Sequence, residues 1–181
     1  MQNYNWPVTF REIYDRAASA YRAGRPSPQT LFPPADEKFL ATIGCSAQEL
    51  FDFVEDFVQG GEPDFGTTLL ITSVRRDYFL SEQGGMPSGK LVDMDTLPPK
   101  QAAAGGLPWL PRIIVKARAK LRGEMPPDLM FCCGGDRAFL ESVDIHAADF
   151  LRYVWAAGGD DQKIIEWVQR RTWPIGVGTR V

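Results

Sequence analysis

The chain has 181 residues, 44% of them hydrophobic, with a formal net charge of −3 and a pI near 5.2. That is enough apolar material for a substantial core, in one compact domain or two small fused ones, and it excludes a disordered chain. The acidic balance excludes a global basic field that would draw the protein to nucleic acid, so any anion site must be local.

The apolar runs are only a few residues long, so no membrane-spanning segment is expected. The N-terminal stretch has neither a basic start nor an apolar centre and does not read as a secretory signal, so the expected location is cytoplasmic. Cys45, Cys132 and Cys133 are too few and too oddly spaced for a disulfide framework, which also suits a reducing compartment.

Phe10, Ile13, Tyr14, Ala17 and Tyr21 recur at steps of three and four and predict a helix over 10–22. Arg25-Pro26-Ser27-Pro28 and Pro33-Pro34 break it. Asp36 is expected to cap a short helix carrying Phe39, Leu40 and Ile43, closed by Gly44 in a left-handed conformation. Ser46-Ala47-Gln48-Glu49 reads as a capping box that opens an amphipathic helix ending at Gly60-Gly61. Pro63 suits the first turn of the next helix, in which Leu69, Leu70, Val74 and Tyr78 continue an inward stripe. Thr67, Thr68, Ile71 and Thr72 are β-branched and would suit a strand, but 64–76 is read as helix to match 161–171. Arg75-Arg76, near its end, are expected to complement the helix dipole.

Residues 81–108 are rich in glycine, proline and alanine, show no sustained period and read as a linker. Helices follow at 111–122, 136–143 and 147–157, then a last helix stopped at Trp173-Pro174 before a glycine-containing tail.

Shifted by 100 positions, residues 36–54 lie over 136–154 without a gap. Asp36/Asp136, Phe39/Phe139, Leu40/Leu140, Ala47/Ala147 and Val54/Val154 are identical, and Ile13/Ile113 and Ala17/Ala117 extend the register upstream. Such matching implies one supersecondary unit used twice. The expected fold is all-α: two duplicated small helical units at 1–80 and 109–181, packed together across the linker, with a homodimer as a compatible assembly.

The run from Leu110-Pro111-Arg112 to Leu121-Arg122-Gly123, followed by Cys133, Asp136-Arg137, Phe139-Leu140 and Trp167-Val168, resembles an uncharacterised bacterial family, the domain of unknown function numbered 5069. The resemblance spans residues 97 to about 170 and implies no activity, cofactor or catalytic residue.

Arg112, Lys116, Arg118, Lys120 and Arg122 place five cations on one predicted helix with no acid among them. They can contact phosphates of a nucleic acid or nucleotide; the default reading is a solvated face whose charges pair with acids elsewhere. Phe131-Cys132-Cys133-Gly134-Gly135-Asp136-Arg137 joins adjacent thiols to a carboxylate and a guanidinium at a helix start, where a thiol can become a nucleophile; burial in the core is the competing reading. His146, the one histidine, reads as an N-cap. Asp36 and Asp136 read as helix caps, with a carboxylate pair across a pseudo-twofold axis as the alternative. No nucleophile elbow or phosphate loop occurs, and neither a metal site nor a cofactor is expected.

These features point first to a non-enzymatic binding or adaptor module. The alternative is a small-ligand protein or enzyme with a cleft between the units, involving Arg112, Lys116, Cys133, Asp136 and Arg137 and taking an anionic small molecule. Nucleic-acid binding through 112–122 is a third reading, and a protein partner fits the first.

Overall fold

A computed structural model describes residues 4–24 and 27–172 of the protein. Arg25-Pro26, Trp173-Pro174 and the tail after them lie outside those residues. Among the described residues the chain is mostly helical: α1 (Trp6–Gly24), α2 (Pro28–Leu31), α3 (Pro34–Thr42), α4 (Ala47–Gly60) and α5 (Phe65–Ser81) precede α6 (Leu110–Arg122), α7 (Gly134–Ser142), α8 (Ala147–Ala157) and α9 (Asp161–Thr172). The only strands among the described residues are two residues long each, β1 (Ala103–Ala104) paired antiparallel with β2 (Leu107–Pro108).

Two aromatic and aliphatic cores organise these helices. Phe10, Tyr14, Leu40, Leu50 and Val54 centre the first, between α1, α3 and α4; Ile113, Phe131, Leu140, Phe150 and Ile164 centre the second, between α6, α7, α8 and α9. α5 runs from one to the other. Its Phe65 and Leu69 pack against the first core, while Ile71 and Val74 belong to the second. That double burial explains why the β-branched stretch 67–72 is helical, since tertiary packing outweighs a local preference of a few tenths of a kcal/mol per residue. Asp64 starts the helix by accepting from Thr67 N at 2.8 Å, so Pro63 precedes the cap and does not occupy the first turn.

The capping box at Ser46 is complete: Ser46 Oγ accepts from Glu49 N at 3.1 Å and Glu49 Oε2 accepts from Ser46 N at 2.9 Å. Asp36 and Asp136 are not caps. Pro33 and Cys133 occupy the N-cap positions, and each aspartate stands at the third helical residue. Pro34 presets the helical φ and so begins α3 two residues before Asp36.

The turns after α3 and α7 have the same geometry. Leu40 O accepts from Ile43 N and Cys45 N, and Leu140 O accepts from Val143 N and Ile145 N. Gly44 and Asp144 take left-handed φ values of 67° and 52°, and Ser46 and His146 each cap the next helix.

The stretch between α5 and α6 is pinned at several points. Leu97 is buried, Val92 N donates to Glu124 O at 2.9 Å, and Gln169 Nε2 donates to Gly105 O at 2.8 Å.

Candidate functional site

The N-terminus of α7 and one face of α6 converge on a single carboxylate. Asp136 is fully buried and accepts from Lys116 Nζ at 2.5 Å, from Trp109 Nε1 at 2.9 Å and from Cys132 N at 2.9 Å. Three donors, one of them a cation, stabilise its negative charge where water is excluded. Lys116 Nζ also lies 3.1 Å from Cys133 Sγ, which sets a cation against the sulfur of the one cysteine that is not buried.

The backbone around this carboxylate is held in unusual conformations. Trp109 and Cys132 adopt φ values of 73° and 70°, a left-handed region that costs a bulky residue of order 1 kcal/mol. Trp109 is kept there by its N–H donating to Ala102 O at 3.0 Å and by its indole bond to Asp136. Gly135 makes room for the indole, because a Cβ at that position would stand 2.5 Å from Trp109 Cζ2.

Above the ion pair opens a cleft of about 460 Å³, whose basic side carries Lys100, Arg112 and Lys116 beside Cys133. Asp52, Glu55 and Asp56 of α4 form the acidic side, and Asp128 closes one end. Burial pushes the Asp52 carboxyl up to about 6, against a 2.7 Å hydrogen bond from Gln48 and the charge of Lys120. Arg112 Nη1 donates to Pro98 O at 2.8 Å.

Of the five residues singled out in the sequence, Arg112, Lys116 and Cys133 line this cleft and Asp136 lies directly behind them. Arg137 does not join them. It donates to Asp56 Oδ2 and to Cys132 O, both at 2.8 Å, and clamps α7 to α4 while lining a separate depression beside His146. Trp109 and the α4 carboxylates were not among the candidates. Asp52, Glu55 and Asp56 do recur at helical spacing, but nothing local says which surface they meet.

The remaining cations of α6 are engaged elsewhere. Arg118 pairs with Asp161 at 2.5 Å, Lys120 with Glu49 at 2.9 Å and Arg122 with Glu124 at 2.6 Å. Since Lys116 and Lys120 are buried, the five cations do not form one solvent-facing row. Cys45 and Cys132 are buried, and desolvation pushes both thiols up to about 12. His146 caps α8, its Nδ1 accepting from Ala148 N at 3.2 Å.

The basic side of the cleft, from Trp109 through Arg112 and Lys116 to Cys133 and Asp136, therefore comes from one continuous stretch of chain. Residues 97–174 match a domain of unknown function, DUF5069. The acidic side, on α4, lies outside the DUF5069 segment, so the cleft is built where that segment meets the first half of the protein. No curated protein and no solved structure matches the chain.

Among the described residues no helix is long and apolar enough to cross a membrane, and no cluster of three or more His, Cys, Asp or Glu side chains has the arrangement to hold a metal ion.

Proposed function

We propose that this is a small-molecule-binding protein whose site is the cleft between α4 and the DUF5069 segment. The ligand it suits carries an anionic group for Arg112 and Lys116 and a cationic group for Asp52, Glu55 and Asp56. Cys133 stands between them as the reactive side chain, in the partly exposed, electropositive setting that nucleophilic cysteines occupy.

The observation that carries this reading is the convergence of Arg112, Lys116 and Cys133, from two elements, on one cleft with a buried, fully bonded carboxylate behind it. Two of the three non-glycine residues with left-handed φ among the described residues, Trp109 and Cys132, flank that carboxylate, and strain of this kind clusters at functional sites. A surface adaptor draws less support, because four of the five cations of α6, all but Arg112, are engaged in ion pairs within the chain. Nucleic-acid binding through 112–122 loses its basic face for the same reason.

We read the two halves as copies of one helical unit, supported by the matching turns after α3 and α7 and by two ion pairs in the same register, Arg16 with Asp36 and Lys116 with Asp136. In the second copy the pair is buried and supports the cleft. Three free thiols support a reducing, cytoplasmic setting.

The test is thermal unfolding of the full chain against zwitterionic amino acids and simple mono-anions, with alkylation of Cys133 followed in parallel. A zwitterion that raises the midpoint by several degrees should also protect Cys133, and Arg112→Ala should remove both effects. If no compound protects Cys133, or if protection survives Arg112→Ala, the reading fails.

A further inference from the structure

A second, larger cavity of about 730 Å³ lies between the end of α3, the start of α4, the last turns of α5 and the segment that follows α5. Its volume falls within the range of roughly 300–1,000 Å³ usual for small-molecule sites. The walls are mainly apolar, with Ala41, Ala47, Phe79, Leu80, Leu91 and Met125 contributing. Leu80 and Leu91 are exposed at its rim, as is the neighbouring Met86.

Arg75 lines this cavity although only 2% of its surface is accessible. It sits in the middle of α5 and not in the last turn, so it does not act on the helix dipole as its place in the sequence suggests. Of the carboxylates around the cavity, Glu37 stands at its exposed edge and makes no ion pair with Arg75, and the others are engaged with other cations. Lys120 is paired with Glu49, and Arg122 with Glu124, which also accepts from Ser88. Arg75 itself forms no ion pair among the described residues: Nη1 donates to the neutral amide of Gln83 at 2.8 Å, and Nε is buried without a hydrogen-bond partner. The Phe79 ring, 5.1 Å from the guanidinium carbon, offers only a weak counter-charge.

Two glycines make room for this arrangement. A Cβ at Gly44 would stand 2.7 Å from the Phe79 ring, and one at Gly123 would collide with Arg75 Nη2. The fold thus buries a cation that has no ion pair of its own among the described residues and feels the charge of Glu49 and Glu124, each already paired with another cation; a buried charge of that kind is costly unless an anion meets it.

We infer that this cavity binds an acyl-chain monocarboxylate, with the carboxylate on the Arg75 guanidinium and the chain running along Phe79, Leu80, Leu91 and Met125 towards the apolar rim. Charge complementarity selects a single anion, and the apolar walls select a hydrocarbon chain over a polar metabolite. The site is separate from the Cys133 cleft.

The experiment uses the full chain with dansyl-labelled undecanoic acid as fluorescent reporter, displaced by decanoate or by decanol. Saturable binding is expected, with decanoate displacing the reporter at a concentration about tenfold or more below that needed for decanol, because a carboxylate forms charge-assisted bonds to the guanidinium. Arg75→Met should reduce that ratio to about one while the chain still binds by its apolar contacts. Ala41→Trp, on the exposed side of α3, should abolish reporter binding with an unchanged unfolding midpoint, and it decides the matter if Arg75→Met does not fold. Cys133→Ser should leave binding as it was. Absence of saturable binding, equal displacement by decanol, binding that survives Ala41→Trp, or binding lost in Cys133→Ser would each overturn the assignment.

Discussion

Lys116 and Asp136 form an ion pair 2.5 Å long whose side chains are 3% and 0% exposed. Arg16 and Asp36 make the corresponding contact at 2.8 Å, also twenty residues apart, but the Arg16 side chain is 57% exposed. One spacing therefore places the same chemistry in two dielectric settings, and the settings decide what each pair contributes.

Lys116→Met should destabilise the protein by about 3–5 kcal/mol, since it strands a buried carboxylate, whereas Arg16→Met should cost about 1 kcal/mol or less. Urea denaturation of the two variants measures both. Equal losses would show that Asp136 is not held as an ion in the interior.

Cys133 should be the one cysteine modified by iodoacetamide under native conditions, with Cys45 and Cys132 reacting only after denaturation. Burial both shields those two thiols and pushes them up to about 12. Lys116→Met should slow the reaction at Cys133. Peptide mass spectrometry of timed samples reads all three sites, and early labelling of Cys132 would contradict its placement.

Asp52→Asn should stabilise the protein at neutral pH by about 1 kcal/mol. The folded protein holds the Asp52 proton up to about 6, against 3.8 for the free side chain, so the wild type loses stability as pH rises through that window. Below it the aspartic acid is neutral in both states. The difference between variant and wild type should therefore grow between these two values and level off above them, as unfolding midpoints across a pH series would record. A difference that grows towards low pH has the wrong sign and would refute it.

Gly44→Ala should cost about 2–3 kcal/mol, from a left-handed backbone and a Cβ that meets Phe79. Asp144→Gly, at the corresponding turn after α7, should gain about 0.5–1 kcal/mol by relieving the same backbone conformation. Opposite shifts in thermal midpoint are expected, and a loss on Asp144→Gly would mean that its side chain does more than tolerate the turn.

What the sequence determined by itself is the set of helices and much of their local chemistry. Apolar period, glycine stops and the capping box at Ser46 are local signals, and local hydrogen bonds enforce them, so α1, α4, α6 and α8 were legible within a few residues. Asp36 and Asp136 misled because an aspartate near a helix start is favourable at the cap and in the first turn alike, and only the backbone distinguishes the two. Period also says which face of a helix is buried without saying what it meets. Tertiary structure alone decided that α5 passes from one core to the other, that Lys120 finds Glu49 across 71 positions of chain, and that the acids of α4 face Arg112 and Cys133 across a cleft. Arg75 is the plainest case: its neighbours in sequence suggest a solvated helix end, and its neighbours in space leave it buried with an amide partner, Gln83, and no ion pair among the described residues. Long-range packing sets the dielectric around each charge, and that is what separates a surface ion from a functional one.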